Sequence, residues 1–212
     1  MSTETQILAK EPKRERGKQR VAALIDAGAE LFAERGYEAA TMTEIASRAG
    51  AAIGSLYQFF PSKEALAEAV FNRFAERAAA AFARVEARAP GCSACELADL
   101  FIDYKLRQGS DRDAAIALAS GVAGIVERRK PLGDALRGRI ATILMAGNPA
   151  LGQDEAAAAA IIVNQVMKMI PALASTEDQR SVALIGEARK LLALYIDEVL
   201  RGKAASVGAQ SA

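Results

Sequence analysis

Apolar residues recur at helical spacing along nearly the whole chain, and no stretch sustains the two-residue alternation of a strand. Val21, Leu24, Ile25, Gly28, Leu31 and Phe32 line one face of a first helix expected over about Lys18–Arg35, with Gly36 as its stop. Thr41 and Glu44 have the three-residue spacing of a capping box. A short helix should start there, carry Ile45 and Ala49 inward and stop at Gly50. A third short helix should cover Ile53–Phe59. Ser62, after Pro61, is the expected N-cap of a long helix. Its stripe is Leu66, Val70, Phe74, Ala78, Ala81, Phe82 and Val85, and Pro90-Gly91 ends it.

The rest of the chain repeats the pattern. Ser93 and Glu96 form a second capping-box pair, before Leu97, Leu100, Phe101 and Tyr104, and Ser110 begins another helix. Pro131, inside ERRKPLGDALRGR, predicts a break or kink near Lys130. The basic residues of that run, Arg128, Arg129, Lys130, Arg137 and Arg139, read as a solvated face. Asn148-Pro149 and Gly152 mark a loop. The helix after it, about Asp154–Leu173, is apolar nearly all round. Thr176–Gln179 should cap a last helix with the stripe Leu184, Ile185, Ala188, Leu191, Leu192, Tyr195, Ile196 and Val199. Beyond about Lys203 the residues are small and polar, which predicts a disordered tail. The expected fold class is all-α.

Composition narrows the function. The 212 residues are 51% apolar and 25% charged, enough for a sizeable core. Net charge is only +1, so affinity for nucleic acid must come from local patterning. No apolar run approaches the length needed to cross a bilayer, and MSTETQILAK is too polar for a secretory signal. These features predict a cytoplasmic protein with no membrane partner. Histidine is absent, which excludes imidazole catalysis, and two cysteines make a poor zinc site. No phosphate loop or nucleophile motif stands out, so neither an enzyme, a cofactor nor a metal is expected. Cys92-Ser-Ala-Cys95 has redox-motif spacing, with Cys95 in the first turn of a helix. Thiol-redox sensing is therefore the alternative function.

Two short helices joined at a glycine, after a longer one, make a helix-turn-helix candidate. The segments LFAERGYEAAT, EIASRAG and GSLYQFFPSKEAL resemble the TetR (tetracycline repressor) family of bacterial regulators, over about Val21–Val70. The remaining residues agree with it only in helical character and length. The resemblance implies a basic flexible arm over 1–17, a three-helix DNA-binding domain over 18–64, a larger helical effector-binding and dimerisation domain over 65–203, and a tail over 204–212. It further implies a ligand-responsive repressor. Such a protein binds a pseudo-palindromic operator in double-stranded DNA as a homodimer, and a small-molecule effector releases it.

One feature of the reading helix sits oddly with a polyanion: from Ala51 to Phe60 there is no charged residue. Phosphate contacts dominate affinity, however, and need not come from that helix. In KEPKRERGKQR, Lys10, Lys13, Arg14, Arg16, Lys18 and Arg20 outnumber Glu11 and Glu15 by four charges. The resemblance places this arm near the duplex backbone or minor groove. Lys63, in the first turn of the long helix, is expected to grip a phosphate beside the helix amides, and Thr43 to donate a further hydrogen bond. Gly54 allows close backbone approach. Ser55 and Gln58 can hydrogen-bond base edges or phosphates, Gln suiting adenine. Ala52, Ile53 and Phe59 can make only apolar contacts, such as with thymine methyl groups. Tyr57 resembles the family's phosphate-contacting tyrosine. The family more commonly carries a polar residue at position 52 and often a basic or histidine residue at 53 or 59. Their absence shifts the expectation toward shape readout.

For the second half, inward faces offer Phe71, Phe74, Phe101, Tyr104, Leu118, Met145, Asn164 and Met167 as effector-pocket candidates, suited to a mostly apolar ligand. A helix apolar on all sides must bury every face. With the last helix it predicts a four-helix seam across a two-fold axis, built from Ile161, Ile162, Gln165, Val166, Met169, Leu184, Leu191, Leu192 and Tyr195. Asn164 and Gln165 either orient a ligand or pair across that seam.

Overall fold

The computed structural model describes residues 15–175 and 179–202, and among these every regular element is a helix. The arm up to Arg14, residues Thr176–Asp178 of the proposed cap, the tail from Lys203 and the side chains of Arg128, Arg129 and Gln179 lie outside the described residues. The elements are α1 (Glu15–Ala39), α2 (Met42–Arg48), α3 (Ile53–Phe59), α4 (Lys63–Arg88), α5 (Ala94–Leu106), α6 (Gly109–Gly121), α7 (Ala123–Gly147), α8 (Gln153–Ala174) and α9 (Gln179–Arg201). The chain divides into two compact units. One is Met1–Ala78 with Gly109–Lys130, the other Ala79–Gln108 with Pro131–Ala212.

In the first unit α1 is already helical at Glu15, three residues before the start expected at Lys18. An acidic residue in a first turn suits the helix dipole, and Lys18 stands 4.0 Å from Glu15. Regular helix gives way at Gly36, whose φ of 79° lies in the left-handed region that glycine adopts without cost. Thr41 and Glu44 form the expected capping box, with the Glu44 amide donating to Thr41 Oγ1 (3.3 Å) and the Thr41 amide to Glu44 Oε2 (3.2 Å). Such a cap contributes about 1 kcal/mol. Met42, Ile45 and Ala46 are buried; Ala49, expected inward, is only half-buried because α2 ends there as the chain turns at Gly50 (φ 61°). Leu56 and Phe60 are fully buried and fix the roll of α3. Ser62 Oγ accepts from the Ala65 amide (3.2 Å), the predicted cap of α4.

The first unit also contains α6, which lies along α1. The boundary expected at 64/65 therefore does not match the packing: Ala114, Ala115 and Leu118 are buried, so α6 has an apolar face to cover, and α1 covers it. At Gly121 a Cβ would stand 3.0 Å from Tyr37 Cβ, so any larger residue would have to push the Tyr37 side chain aside by a few tenths of an ångström.

In the second unit α5, α8 and α9 pack on one another around Phe82, Leu97, Phe101, Ile140, Leu144, Val163, Met167, Leu192 and Ile196. Ser93 and Glu96 form the second predicted capping box. Two expectations fail. Pro131 does not break α7, which is helical from Ala123 to Gly147; the interruption falls earlier, at Val122. Proline removes one helical hydrogen bond, but at this position the rest of α7 carries the helix through. And α8, with 22 residues, is long and apolar enough by composition to cross a membrane, although polar residues interrupt its apolar runs. Its Ala156, Ala159, Ala160, Val163, Met167 and Ile170 are instead buried in the protein core.

Candidate nucleic-acid interface

The exposed side of α2–α3 is set by what the buried side requires. With Leu56 and Phe60 inward, Thr43, Ala52, Ile53, Gly54, Tyr57 and Gln58 face solvent, and Ser55 and Phe59 are half-buried. Ile53 is 40% and Tyr57 49% exposed, uncommon for large apolar side chains on so short a helix. Ala52 caps α3 without a side-chain hydrogen bond.

This surface is electrically neutral, because the two charges within α2–α3 are consumed by α1. Arg48 makes a two-armed pair with Glu34 (2.6 and 2.9 Å) and approaches Glu30 at 3.8 Å. Glu44 accepts from Arg35 at 2.7 Å besides its Thr41 contacts. The hydrogen bond from Arg48 holds the Glu34 carboxyl below the usual range. The Thr41 hydroxyl and amide, then Arg35, do the same for Glu44. These pairs set the angle of α2 on α1, a role for Arg48 that sequence reading missed. Its position as the one cation in α2–α3 was the available signal.

Lys63 differs most from expectation. Its ammonium does not point free toward a phosphate. It donates to three backbone carbonyls, Tyr37 O (2.9 Å), Glu38 O (3.2 Å) and Ala40 O (3.3 Å), and lies 4.3 Å from the centre of the Tyr37 ring. A lysine ammonium has three donors, and these three acceptors account for all of them. Carbonyls at the end of α1 have no helical partners, which is why a cation settles there. Next to it, Tyr37 Oη donates to Glu64 Oε1 (2.9 Å). Burial, then the Glu64 contact, pushes the Tyr37 phenol up, while backbone and Tyr37 hydrogen bonds hold Glu64 down. Free cations remain at the start of α1: Arg16 and Arg20 are exposed, as is Lys18 beside Glu15.

A second charged knot, also unforeseen, joins α1, α4 and α6. Arg73 donates to Asp26 (2.5 Å) and Asp111 (3.4 Å), and Arg77 to Asp111 (2.6 Å). Thus α6 is held near its start by Asp111 and at its end by Gly121 against Tyr37.

The effector candidates fall in different units. Phe71, Phe74 and Leu118 belong to the first, where the Phe71 and Phe74 rings are 6.3 Å apart. Phe101, Tyr104, Met145, Asn164 and Met167 belong to the second. There Phe82 stacks on Phe101 (6.1 Å) and meets Tyr104 edge-on (5.1 Å), and Arg139 pairs with Glu86 through two 2.6 Å contacts while covering the Phe82 ring. Asn164 is 2% exposed and its Oδ1 has no partner; buried Gln108 Oε1 has none either. A cleft of about 340 Å³ in this unit is lined by Leu151, Glu155, Ala158, Ala159, Tyr195, Val199 and Gly202, and includes none of the effector candidates.

Of the expected seam residues, Ile161, Ile162, Gln165, Met169, Leu184 and Leu191 are exposed, and Val166 and Tyr195 half-buried. Leu192 is a correction: at 0% exposure it belongs to the protomer's own core, one residue round the helix from exposed Leu191. Both thiols are free, and Cys92 Sγ donates to Arg88 O at 3.0 Å.

A short helix with a solvent-facing neutral surface, braced through α2 against a longer α1, is the head of a helix-turn-helix DNA-binding protein. Comparison with known proteins carries this further. The model of the tetR family of bacterial regulatory proteins matches residues 24–70, and a tetracyclin repressor-like C-terminal domain matches residues 92–195. The chain belongs to the TetR family. The transcriptional repressor KstR2 of Rhodococcus jostii is 47% identical over 51 residues, 24% of this chain and 25% of that protein. The transcriptional activator FasR of Mycolicibacterium smegmatis is 52% identical over 50 residues, 24% and 23% of the two chains. The chain thus matches about a quarter of the length of these curated relatives. A transcriptional regulator from Aquifex aeolicus VF5 shares the fold, with a TM-score of 0.67 at 19% identity over 82% of this chain and 98% of that one.

Proposed function

We propose that this protein is a ligand-responsive transcriptional repressor that binds a pseudo-palindromic operator as a homodimer and leaves it when a small, mostly apolar effector binds. The observation that carries the reading is the solvent-facing surface of α3, presented by buried Leu56 and Phe60 and left uncovered by the described residues. Tyr57, Ser55, Thr43 and the exposed cations Lys18 and Arg20 supply hydrogen bonds and charge for phosphates around it. The location that follows from a DNA partner is the cytoplasm.

The homodimer rests on α8 and α9. In one protomer Ile161, Ile162, Met169, Leu184 and Leu191 are 41–56% exposed, an unusual share of large apolar side chains for two helices of a monomer. A second copy covers them isologously, and two-fold symmetry then places two reading helices in major grooves about 34–36 Å apart.

The effector reading is supported by the buried oxygens of Asn164 and Gln108, which have no hydrogen-bond partner among the described residues. An unmade buried hydrogen bond is costly, so a ligand offering a donor to either is favoured. Release requires that the effector bind better to a state unsuited to DNA. Because α6 grips α1 at Tyr37 and α4 through Asp111, a small shift of α6 would move the reading head. A coupling of ~1–3 kcal/mol gives a 5–150-fold loss of operator affinity.

The test is selection of bound duplexes from a random library by the purified protein. The expected product is an inverted repeat with half-sites about one helical turn apart. A direct repeat, a single half-site or no enrichment contradicts the reading.

A further inference from the structure

The helix α3 carries no charged side chain, and the charged side chains that flank it in α2 and at Lys63 are committed within the protein: Glu44 to Thr41 and Arg35, Arg48 to Glu34, Lys63 to three carbonyls. What α3 offers a major groove is Ala52, Ile53, Gly54, Tyr57 and Gln58, all exposed. Of the groups that base pairs display in that groove, only the C5-methyl of thymine is apolar. We infer that Ile53 and Ala52 are specificity-determining residues that select the half-site through thymine C5-methyl groups, with Gln58 on an adjacent adenine.

The inference rests on the operator-binding reading above and deepens it. The energetics favour it over a charge-based code. Ile53 leaves 40% of its surface in water, so covering it with a methyl gains hydrophobic free energy without unmaking any internal contact. Recruiting Arg48 or Lys63 to a base would first break the bonds that hold α2 and the end of α1. A guanine-rich code read by arginine is for this reason disfavoured, and the half-site should be A·T-rich under α3.

The experiment uses the full-length protein and the duplex enriched by selection, remade with deoxyuridine in place of thymidine at one position at a time. This removes a single methyl and leaves every hydrogen-bonding group. Expected is a loss of about 4-fold in affinity at each contacted thymine, the ~0.8 kcal/mol of one buried methyl-sized group. In the Ile53→Ala protein the thymidine-to-deoxyuridine ratio at its contacted position should fall to about 1. Because Ile53 is solvent-facing, that variant is expected to keep the parent's circular dichroism and unfolding midpoint. Equal affinity of thymidine and deoxyuridine duplexes at every position, with selective binding retained, overturns methyl readout and leaves operator binding standing. An unchanged ratio in Ile53→Ala overturns the assignment to Ile53. Failure to enrich any duplex overturns both readings.

Discussion

Replacing Ile162 and Leu191 together with glutamate is expected to turn the protein into monomers and to lower operator affinity by roughly two to four orders of magnitude. Both residues are surface residues in the protomer, 47% and 56% exposed, so a charge there leaves its fold nearly unaffected. In a seam between two copies the same carboxylates would be buried without partners, at about 3–5 kcal/mol for an uncompensated charge. The loss of DNA affinity follows from losing the link between half-sites, which makes the second contact effectively intramolecular. Sedimentation equilibrium and operator titration measure the two effects separately. A double variant that stays dimeric with parental affinity would remove α8 and α9 from the interface. Leu192→Glu is the contrasting substitution: it lies in the protomer's core, and its expected effect is unfolding.

Lys63→Met should destabilise the protein without any DNA present. Its ammonium holds carbonyls of Tyr37, Glu38 and Ala40, and hydrogen bonds to a charged group contribute about 1.5–3 kcal/mol. Methionine keeps most of the stem's volume and removes the donors. For a chain of this size a loss of about 2 kcal/mol lowers the melting temperature by roughly 4–8 °C. A lysine reserved for phosphate would behave oppositely: stability unchanged, DNA affinity reduced at all sequences, and the salt slope smaller by about one. Melting curves of the free protein distinguish the two roles, and an unchanged midpoint would return Lys63 to the phosphate.

The difference between these roles illustrates what can be read from a sequence. Capping pairs such as Thr41 with Glu44 and Ser93 with Glu96 are local, since donor and acceptor are three residues apart, and the structure contains both. The stop at Gly36 and the cap at Ser62 are local in the same sense. Lys63 satisfies carbonyls 23 to 26 residues earlier, and that depends on where the chain returns after α3. The same holds for Asp111, which meets Arg73 and Arg77 only because α6 comes back onto α1 and α4. Periodicity placed Leu191 and Leu192 on one stripe, but whether a stripe residue faces its own core or the outside is decided by neighbouring helices. Pro131 stands inside α7, and a helix of 25 residues tolerates one missing hydrogen bond. The neutral character of α3 was visible from residue types alone; that Arg48 and Glu44 do nothing to alter it was not.

The most direct test of operator binding is a footprint of the purified protein on the DNA upstream of its own coding sequence, at two salt concentrations. A protected pseudo-palindrome that fades as salt rises is expected, because phosphate contacts by Lys18, Arg20 and their neighbours release counterions. Protection that is independent of salt, or a single protected half-site, would contradict it.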